Sequence, residues 1–272
     1  MYLQHWGLSR SPFAPQPDAP YPSLALSEAT ARVDYLVAQR RRLGVLLGDR
    51  GWGKTTTLGA IAAEQRLQGA EVAWIDPAGL GARELLIRTA EGLGATPDLA
   101  DPVPRLWRRV EDRLAENRWQ GRASVLLVDD ADELGPDAAQ LLRRLARLER
   151  GADASWTLLL AMPSHALNRL DESLLHLVDL RIDLCRWSQE ETIGYVQASL
   201  IDAGRLEPVF YDSALTRIHE RTEGVPRHVA RLADFALLTG AGQGAQQIDV
   251  GLVDQALSEI QWTREPAAST VA

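Results

Sequence analysis

Cysteine and lysine are nearly absent from this sequence. Its 272 residues hold one Cys, Cys185, so no internal disulfide can form and a reducing compartment is the simpler setting. The stretch MYLQHWGLSRSPF at the N-terminus has no basic n-region and no apolar h-region, so it does not read as a signal peptide. No apolar run approaches the roughly 20 residues needed to span a bilayer. The longest runs, such as SVLLVDD and TLLLAMP, have the length of buried strands. These absences predict a soluble, cytoplasmic protein. The His residues at 5, 165, 176, 219 and 228 show no metal-ligand spacing, which argues against a zinc site. No Gly-x-Ser-x-Gly occurs, so a hydrolase nucleophile has no support. The net charge of −8 disfavours a broad nucleic-acid surface, though a local basic patch remains compatible with it.

The lysine count is the sharper clue. Of 29 Lys plus Arg, only Lys54 is lysine. The chain uses arginine almost everywhere that it needs a cation. The exception falls where a compact ammonium on a thin stem is required and a planar guanidinium would not fit.

What is present is an alternating pattern. Hydrophobic residues make up 46% of the chain, enough for a sizeable core. Residues 11–22 hold five of the fourteen prolines and read as an extended, irregular lead-in over 1–26. A helix opening at 27–42 with Ser27 as N-cap follows. Apolar runs at 43–47, 71–76, 124–129, 156–162 and 178–184 then alternate with helical patterns at 54–68, 82–93, 103–119, 136–150 and 164–175. Near-continuous apolar strands between helices predict a three-layer αβα domain on a parallel sheet over 27–186. After Cys185 the strands stop. Ser188 and Glu191 form a capping box, and helical stretches near 211–223, 226–239 and 249–260 follow. We expect a small all-helical domain over 187–263 and a disordered tail over 264–272.

GDRGWGKTT, at 48–56, sits between the strand at 43–47 and a helix. Read as Gly48-x-x-x-x-Gly53-Lys54-Thr55, it is a phosphate-binding P-loop in its proper context. Asp49, Arg50, Gly51, Trp52 and Thr56 complete the stretch. N–H groups of Gly51, Trp52, Gly53 and Lys54, with the N-terminus of the next helix, make an anion nest. Lys54 is placed for the β- and γ-phosphates of ATP, and the Thr55 hydroxyl for Mg²⁺. Trp52 is expected to cover the loop's outer side. Mg²⁺ needs a carboxylate at a neighbouring strand end, and Asp129 supplies it; the next residue, Asp130, is positioned to orient or deprotonate a water.

With these motifs in place, nearly the whole chain resembles AAA+ ATPases of the general secretion pathway (ExeA/GspA) type, with relatives among TniB/TnsC-like transposition regulators. The resemblance rests on MYLQHWGLSRSPFAPQPD at the N-terminus, the P-loop, the strand ending in Asp129, Trp187-Ser188-Gln189-Glu190-Glu191, and GVPRHVARLAD at 224–234. It implies a helical lid, with Arg227 in the Gly-x-Pro-Arg segment reaching the γ-phosphate. It also implies assembly into a homo-oligomer around ATP/ADP, and a secretion or envelope-related process served through a protein partner at the membrane. The sequence runs only a few residues past the lid, so we expect any envelope role to need that separate partner.

Three positions depart from the family's pattern. Asp130 stands where the family usually has Glu, one methylene longer; a misplacement of about an ångström can cost on the order of 10²-fold in rate. Met162 and Ser164 stand at the sensor 1 position, where a polar side chain is usual. His176-Leu177 replaces a Gln-Arg pair, and an arginine finger can be worth about 10³–10⁵ in turnover. Arg169 and Arg181 are the candidate substitutes.

Elsewhere, Arg105/Arg108/Arg109/Arg113 and Arg143/Arg144/Arg147/Arg150 read as solvated helix faces, with DNA or a neighbouring subunit as the alternative. Trp107 and Trp119 read as packing anchors. Tyr195 and Pro12-Phe13 read equally as core or as a border for adenine. The leading expectation is a slow Mg²⁺-dependent ATPase acting as a nucleotide-gated switch. The alternative is an ATP-dependent DNA-binding adaptor, disfavoured by the acidic charge. A P-loop kinase is disfavoured by the helical domain with its Gly-x-Pro-Arg.

Overall fold

The computed structural model describes residues 2–14, 20–148, 156–170 and 172–260. The expected tail at 264–272, Arg150, Pro17-Asp18 of the N-terminal signature and the side chain of Arg169 lie outside the described residues. The chain divides into two compact units, Gln16–Cys185 and the combination of Met1–Pro15 with Arg186–Ala272.

The first unit is built on five parallel strands in the order β2-β3-β4-β1-β5. β1 (Leu43–Leu47), β3 (Ser124–Val128) and β4 (Trp156–Met162) are buried at every position, the consequence of helices on both faces. β2 (Glu71–Ile75) and β5 (Leu180–Asp183) form the edges and are partly exposed. α2 (Leu24–Ala38) and α3 (Lys54–Leu67) close one face through Val33, Leu58 and Ile61, which cluster with Leu46, Leu127 and Leu159 of the sheet. α4 (Ala82–Gly92), α5 (Val103–Trp119) and α6 (Pro136–Ala146) close the other through Leu86, Trp107, Val110 and Leu142. The three-layer αβα parallel architecture is the one the alternating pattern predicts.

The topology places the site. β4 lies between β1 and β3, so the loops leaving the C-terminal ends of β1 and β3 flank the end of β4. Ligands of open α/β sheets bind at such carboxyl ends, where strand order reverses.

Several local expectations are corrected. α2 begins a turn earlier than expected, because Ser23, extended after Pro22, is the residue that caps it: its hydroxyl accepts from Leu26 N–H at 3.2 Å. The expected helix at 164–175 is broken into a 3₁₀ segment, Ser164–Arg169, and a single turn, α7 (Glu172–Leu175), since Leu170 is extended with ψ 142°. Trp119 is no packing anchor. It is 89% exposed, whereas Trp107 is buried.

The second unit gathers α8 (Gln189–Asp202), α9 (Asp212–Thr222), α10 (Pro226–Gly242) and α11 (Val250–Glu259). Ser188 and Glu191 cap α8 reciprocally, at 3.1 and 2.9 Å. Residues 2–14 belong to this unit and are not an irregular lead-in. A short helix, α1 (Tyr2–Trp6), delivers Trp6 into the helical core, where its indole N–H donates to Leu237 O at 2.8 Å. Leu8 and Phe13 are buried in the same cluster, and the Ser9 main chain and hydroxyl both donate to Ala203 O. The prolines of 11–22 mask this apolar pattern in the sequence.

Candidate functional site

β1 ends at Leu47 and α3 starts at Lys54, so residues 48–53 make the whole connection. Gly51 and Gly53 adopt φ +84° and +91°, the left-handed region that side chains disfavour. A Cβ at Gly53 would meet no atom within 4 Å, so the backbone there is open to close approach. Among the described residues, the N–H groups of Gly51, Gly53, Lys54, Thr55 and Thr56 take no main-chain acceptor. Together with the first turn of α3 they present the orphan donors of a helix N-terminus. Trp52 N–H is spent inside the loop, on Asp49 O at 3.2 Å. Asp49 is half-buried, and Arg50, Thr55 and Thr56 are exposed.

The Trp52 indole is half-buried. It packs against the apolar cluster that includes Leu184 and Ile182. Gly48 makes room for it: a Cβ there would come within 3.1 Å of Leu184 Cβ and 3.5 Å of Trp52 Cβ.

Lys54 is buried, 7% exposed, with its ammonium held by two oxygens. Its Nζ donates to Gly48 O at 3.1 Å and stands 3.8 Å from Asp130 Oδ1. Asp129 is 6% exposed, tied by its N–H to Ile75 O at 2.9 Å. Burial pushes its carboxyl above the usual aspartate range; the Thr55 hydroxyl hydrogen bond opposes the shift, the nearby Asp130 charge adds to it, and Asp130 N–H and Lys54 oppose it. Asp130 is a non-glycine residue in the left-handed region, φ 38° and ψ 49°, a strained conformation of the kind that concentrates at functional sites. Its N–H donates to Asp129 Oδ1 at 3.1 Å. The structure therefore brings Lys54, Thr55, Asp129 and Asp130 together, residues that lie up to 76 positions apart in sequence.

The remaining predicted residues fall differently. Met162 ends β4 between the two loops, fully buried, and its carbonyl receives Gly48 N–H at 3.2 Å. Ser164 is exposed beside it. Leu177 packs on the sheet core and His176 is exposed near Glu172, so no arginine stands at this place. Arg181 is paired with Asp183 through bonds of 2.7 to 3.0 Å. Arg227 is exposed in the first turn of α10, in the helical unit. The turn before it was missed as a structural feature: Glu223 and Gly224 are both left-handed, and Trp187 N–H donates to Gly224 O at 2.8 Å. Phe13, Tyr195 and Trp187 form an aromatic row in the helical unit, with centroids 5.9 and 4.8 Å apart, and burial pushes the Tyr195 hydroxyl up to about 12.

Arg105, Arg108, Arg144 and Arg147 of the arginine rows are exposed, as solvated faces require, and several of the row arginines also tie the fold. Arg105 and Arg109 hold the buried Asp101 at 3.1 and 2.7 Å. Burial acts to raise that carboxyl, but the two arginines and Asp98 N–H hold it below its usual range. Arg144 stacks over the Trp107 ring at 3.7 Å. No group of three or more His, Cys, Asp or Glu suited to a metal occurs among the described residues. No described helix is long and apolar enough to cross a membrane.

Comparison with known proteins agrees with this geometry. Residues 37–170 match the AAA domain family. The chain is 30% identical over 271 residues to general secretion pathway protein A of Aeromonas hydrophila; the match covers 97% of this chain and 49% of that protein, so the chain spans about half its relative's length. Among solved structures, Cdc6p of Pyrobaculum aerophilum superposes with a TM-score of 0.69 at 20% identity, covering 93% of this chain and 71% of that one. The Holliday junction branch migration motor RuvB of Thermotoga maritima gives 0.61 at 19%, covering 89% and 73%. Orc1 of Aeropyrum pernix, solved in complex with DNA, gives 0.67 at 17%, covering 91% and 68%. At these identities the structural likeness speaks to fold alone. Its parallel sheet and P-loop have the AAA+ fold, its residues 37–170 match the AAA domain, and nearly its whole length is similar to general secretion pathway protein A.

Proposed function

We propose that the protein is an ATP-dependent switch with slow Mg²⁺-dependent hydrolysis, assembling through its nucleotide. The observation that carries this reading is the convergence of Lys54, Thr55, Asp129 and Asp130 at the carboxyl ends of β1 and β3. The residues fit the absent groups. The orphan N–H groups of 51–56 and the open backbone at Gly53 suit a phosphate chain, and the buried Asp129 carboxylate beside the Thr55 hydroxyl suits Mg²⁺. When bound, Mg²⁺ supplies charge neutralisation between the phosphates.

The chain's own residues divide the work. The loop N–H groups of Gly48–Thr56 and Lys54 bind and neutralise phosphate. Thr55 and Asp129 hold the metal. Asp130 orients a water, and must leave Lys54 to do so. Arg227 reads the terminal phosphate from the helical unit. Asp130 in place of Glu, the apolar Met162 and the apolar Leu177 all weaken hydrolysis, which is why we assign a switch and not a fast motor. By its similarity to general secretion pathway protein A, we assign the process to secretion or envelope assembly, with a membrane-associated protein partner.

The test is steady-state ATP hydrolysis across a range of protein concentrations, beside labelled-ATP binding, for wild type, Lys54→Ala and Asp130→Glu. We expect ATP to bind, Lys54→Ala to abolish binding, and Asp130→Glu to raise a low turnover. Vigorous wild-type turnover that Asp130→Glu lowers would overturn the switch reading. Undiminished ATP binding by Lys54→Ala would remove the site itself.

A further inference from the structure

The helical unit holds a feature that nucleotide binding does not use. α8 ends in a Schellman turn: Gly204, at φ +95°, donates to Ile201 O at 2.9 Å and Arg205 N–H donates to Leu200 O at 2.9 Å. In this motif the residue at the Arg205 position is commonly apolar and packs back on the residue at the Leu200 position. Here it is an arginine, above apolar residues that are themselves buried. A cleft of about 180 Å³ opens there, lined by Val196, Leu200, Val209, Phe210 and Leu215. Ile201 and Leu206 stand on its rim, 52% and 78% exposed.

Arg205 also lines the cleft, and its Nε is buried with no hydrogen-bond partner among the described residues. Glu207 reaches only the terminal Nη1, at 3.3 Å, and is itself 75% exposed. An exposed pair of this kind contributes little and leaves the buried Nε–H unsatisfied, which is the costly half of a broken hydrogen bond. A local choice that violates both the turn's packing preference and polar satisfaction marks a functional position.

We propose that this cleft is a docking site for a protein partner, which inserts one bulky apolar side chain flanked by a carboxylate. The cavity is below the roughly 300 Å³ at which small-molecule pockets begin, and suits a single side chain. The planar guanidinium of Arg205, which lines the cleft and keeps an unused donor, is complementary to a carboxylate. An apolar side chain next to a carboxylate is the chemistry of an acidic-apolar peptide segment. The site lies wholly within the helical unit and does not depend on the proposed nucleotide chemistry.

The test uses the full chain and three sets of fluorescein-labelled dodecapeptides, read by anisotropy. One set has a central Leu or Phe flanked by Asp and Glu; the second has the same centre flanked by Lys and Arg; the third has Ser at the centre with acidic flanks. The acidic-apolar set is expected to bind, with the other two at least about tenfold weaker. Ile201→Glu and Leu206→Glu, both at exposed positions that spare the fold, should abolish binding. Arg205→Lys keeps the charge, loses the Nε–H, and should weaken binding about tenfold. Unchanged helical circular dichroism and melting temperature in each variant show that the helical unit is folded. Equal binding of acidic and basic sets, no binding below millimolar peptide, or binding that survives Ile201→Glu overturns the proposal. So does self-association of the chain that Leu206→Glu abolishes, since the occupant would then be a second copy.

Discussion

Gly224→Ala tests how the helical unit holds the start of α10. Gly224 has φ +69°, and a Cβ there would lie 2.0 Å from Trp187 O, 3.0 Å from Trp187 C and 3.2 Å from His219 Cε1. Alanine in the left-handed region costs about 1–2 kcal/mol. The carbonyl clash cannot be relieved by turning a side chain, because Trp187 O is main chain. The backbone must part, and the Trp187 N–H bond to Gly224 O goes with it, leaving buried groups unmatched at about 1–3 kcal/mol. The sum, about 2–5 kcal/mol, corresponds to a fall of at least about 8 °C in the melting of a unit of this size. Gly242→Ala is the control. It ends α10, the helix that Gly224 precedes, with nothing within 4 Å, and should be neutral or stabilise by up to about 1 kcal/mol. Differential scanning calorimetry of the two variants reads the contrast. Arg227 lies three residues after Gly224, so in the proposed reading Gly224→Ala also lowers turnover while ADP binding at the P-loop is kept. A fall of less than about 4 °C would mean that the turn relaxes freely, and the reasoning from that contact would fail.

Trp6→Ala removes a buried indole and its bond to Leu237 O; urea unfolding should register a loss of about 3–5 kcal/mol, while Trp6→Phe, which keeps an aromatic ring in the core, should lose only about 1–2. Trp107→Ala should cost about 3–5 kcal/mol, and Trp119→Ser, on the same helix but exposed, less than about 0.5, by the same measurement. Asp129 has a folded pKa above its unfolded value, so the protonated form is favoured in the fold. Its stabilising share is present below the ordinary aspartate range and lost as pH rises through the raised value. Asp129→Asn should therefore melt higher than wild type at pH 7 in EDTA, and should lose the Mg²⁺ enhancement of nucleotide affinity on titration with the metal.

How far the sequence carries depends on how local the determining interaction is. β1 and β4 match their apolar runs end for end, since strands buried on both faces leave unbroken hydrophobic stretches with polar borders. The α8 start was legible because Ser188 and Glu191 cap it from within one turn. The α2 start was not. Two serines, Ser23 and Ser27, offer the same hydroxyl, and only the extended chain after Pro22 selects the first. The two tryptophans of α5 could have been told apart: Leu106, Trp107, Val110, Leu114 and Asn117 make one buried stripe, and position 119 falls off it. Residues 2–14 escaped because their partners, Leu237 and Ala203, lie about 200 positions away, and no periodicity in five residues of helix reveals them.

The P-loop was legible for the same reason as a cap: its glycines and Lys54 act within one short connection. The state of its partners was not, because it depends on sheet order. Placing β4 between β1 and β3 sets Met162 under the loop, where its carbonyl takes Gly48 N–H and its buried side chain offers the site nothing polar. That leaves Asp130 as the only side chain near Lys54 proposed to hold a water, and it already stands 3.8 Å from the ammonium on a strained backbone. In the proposed reading one short carboxylate is thus given two duties, neutralising Lys54 and positioning water, and it cannot perform both at once. Phosphate arriving at Lys54 replaces the first duty and frees the carboxylate for the second. In the proposed reading, the three departures from the family's pattern therefore act together: with no polar Met162 and no cation at Leu177 to share the load, nucleotide binding itself becomes the event that arms Asp130. In that reading the protein changes state on binding, and hydrolyses only as fast as a side chain one methylene too short allows.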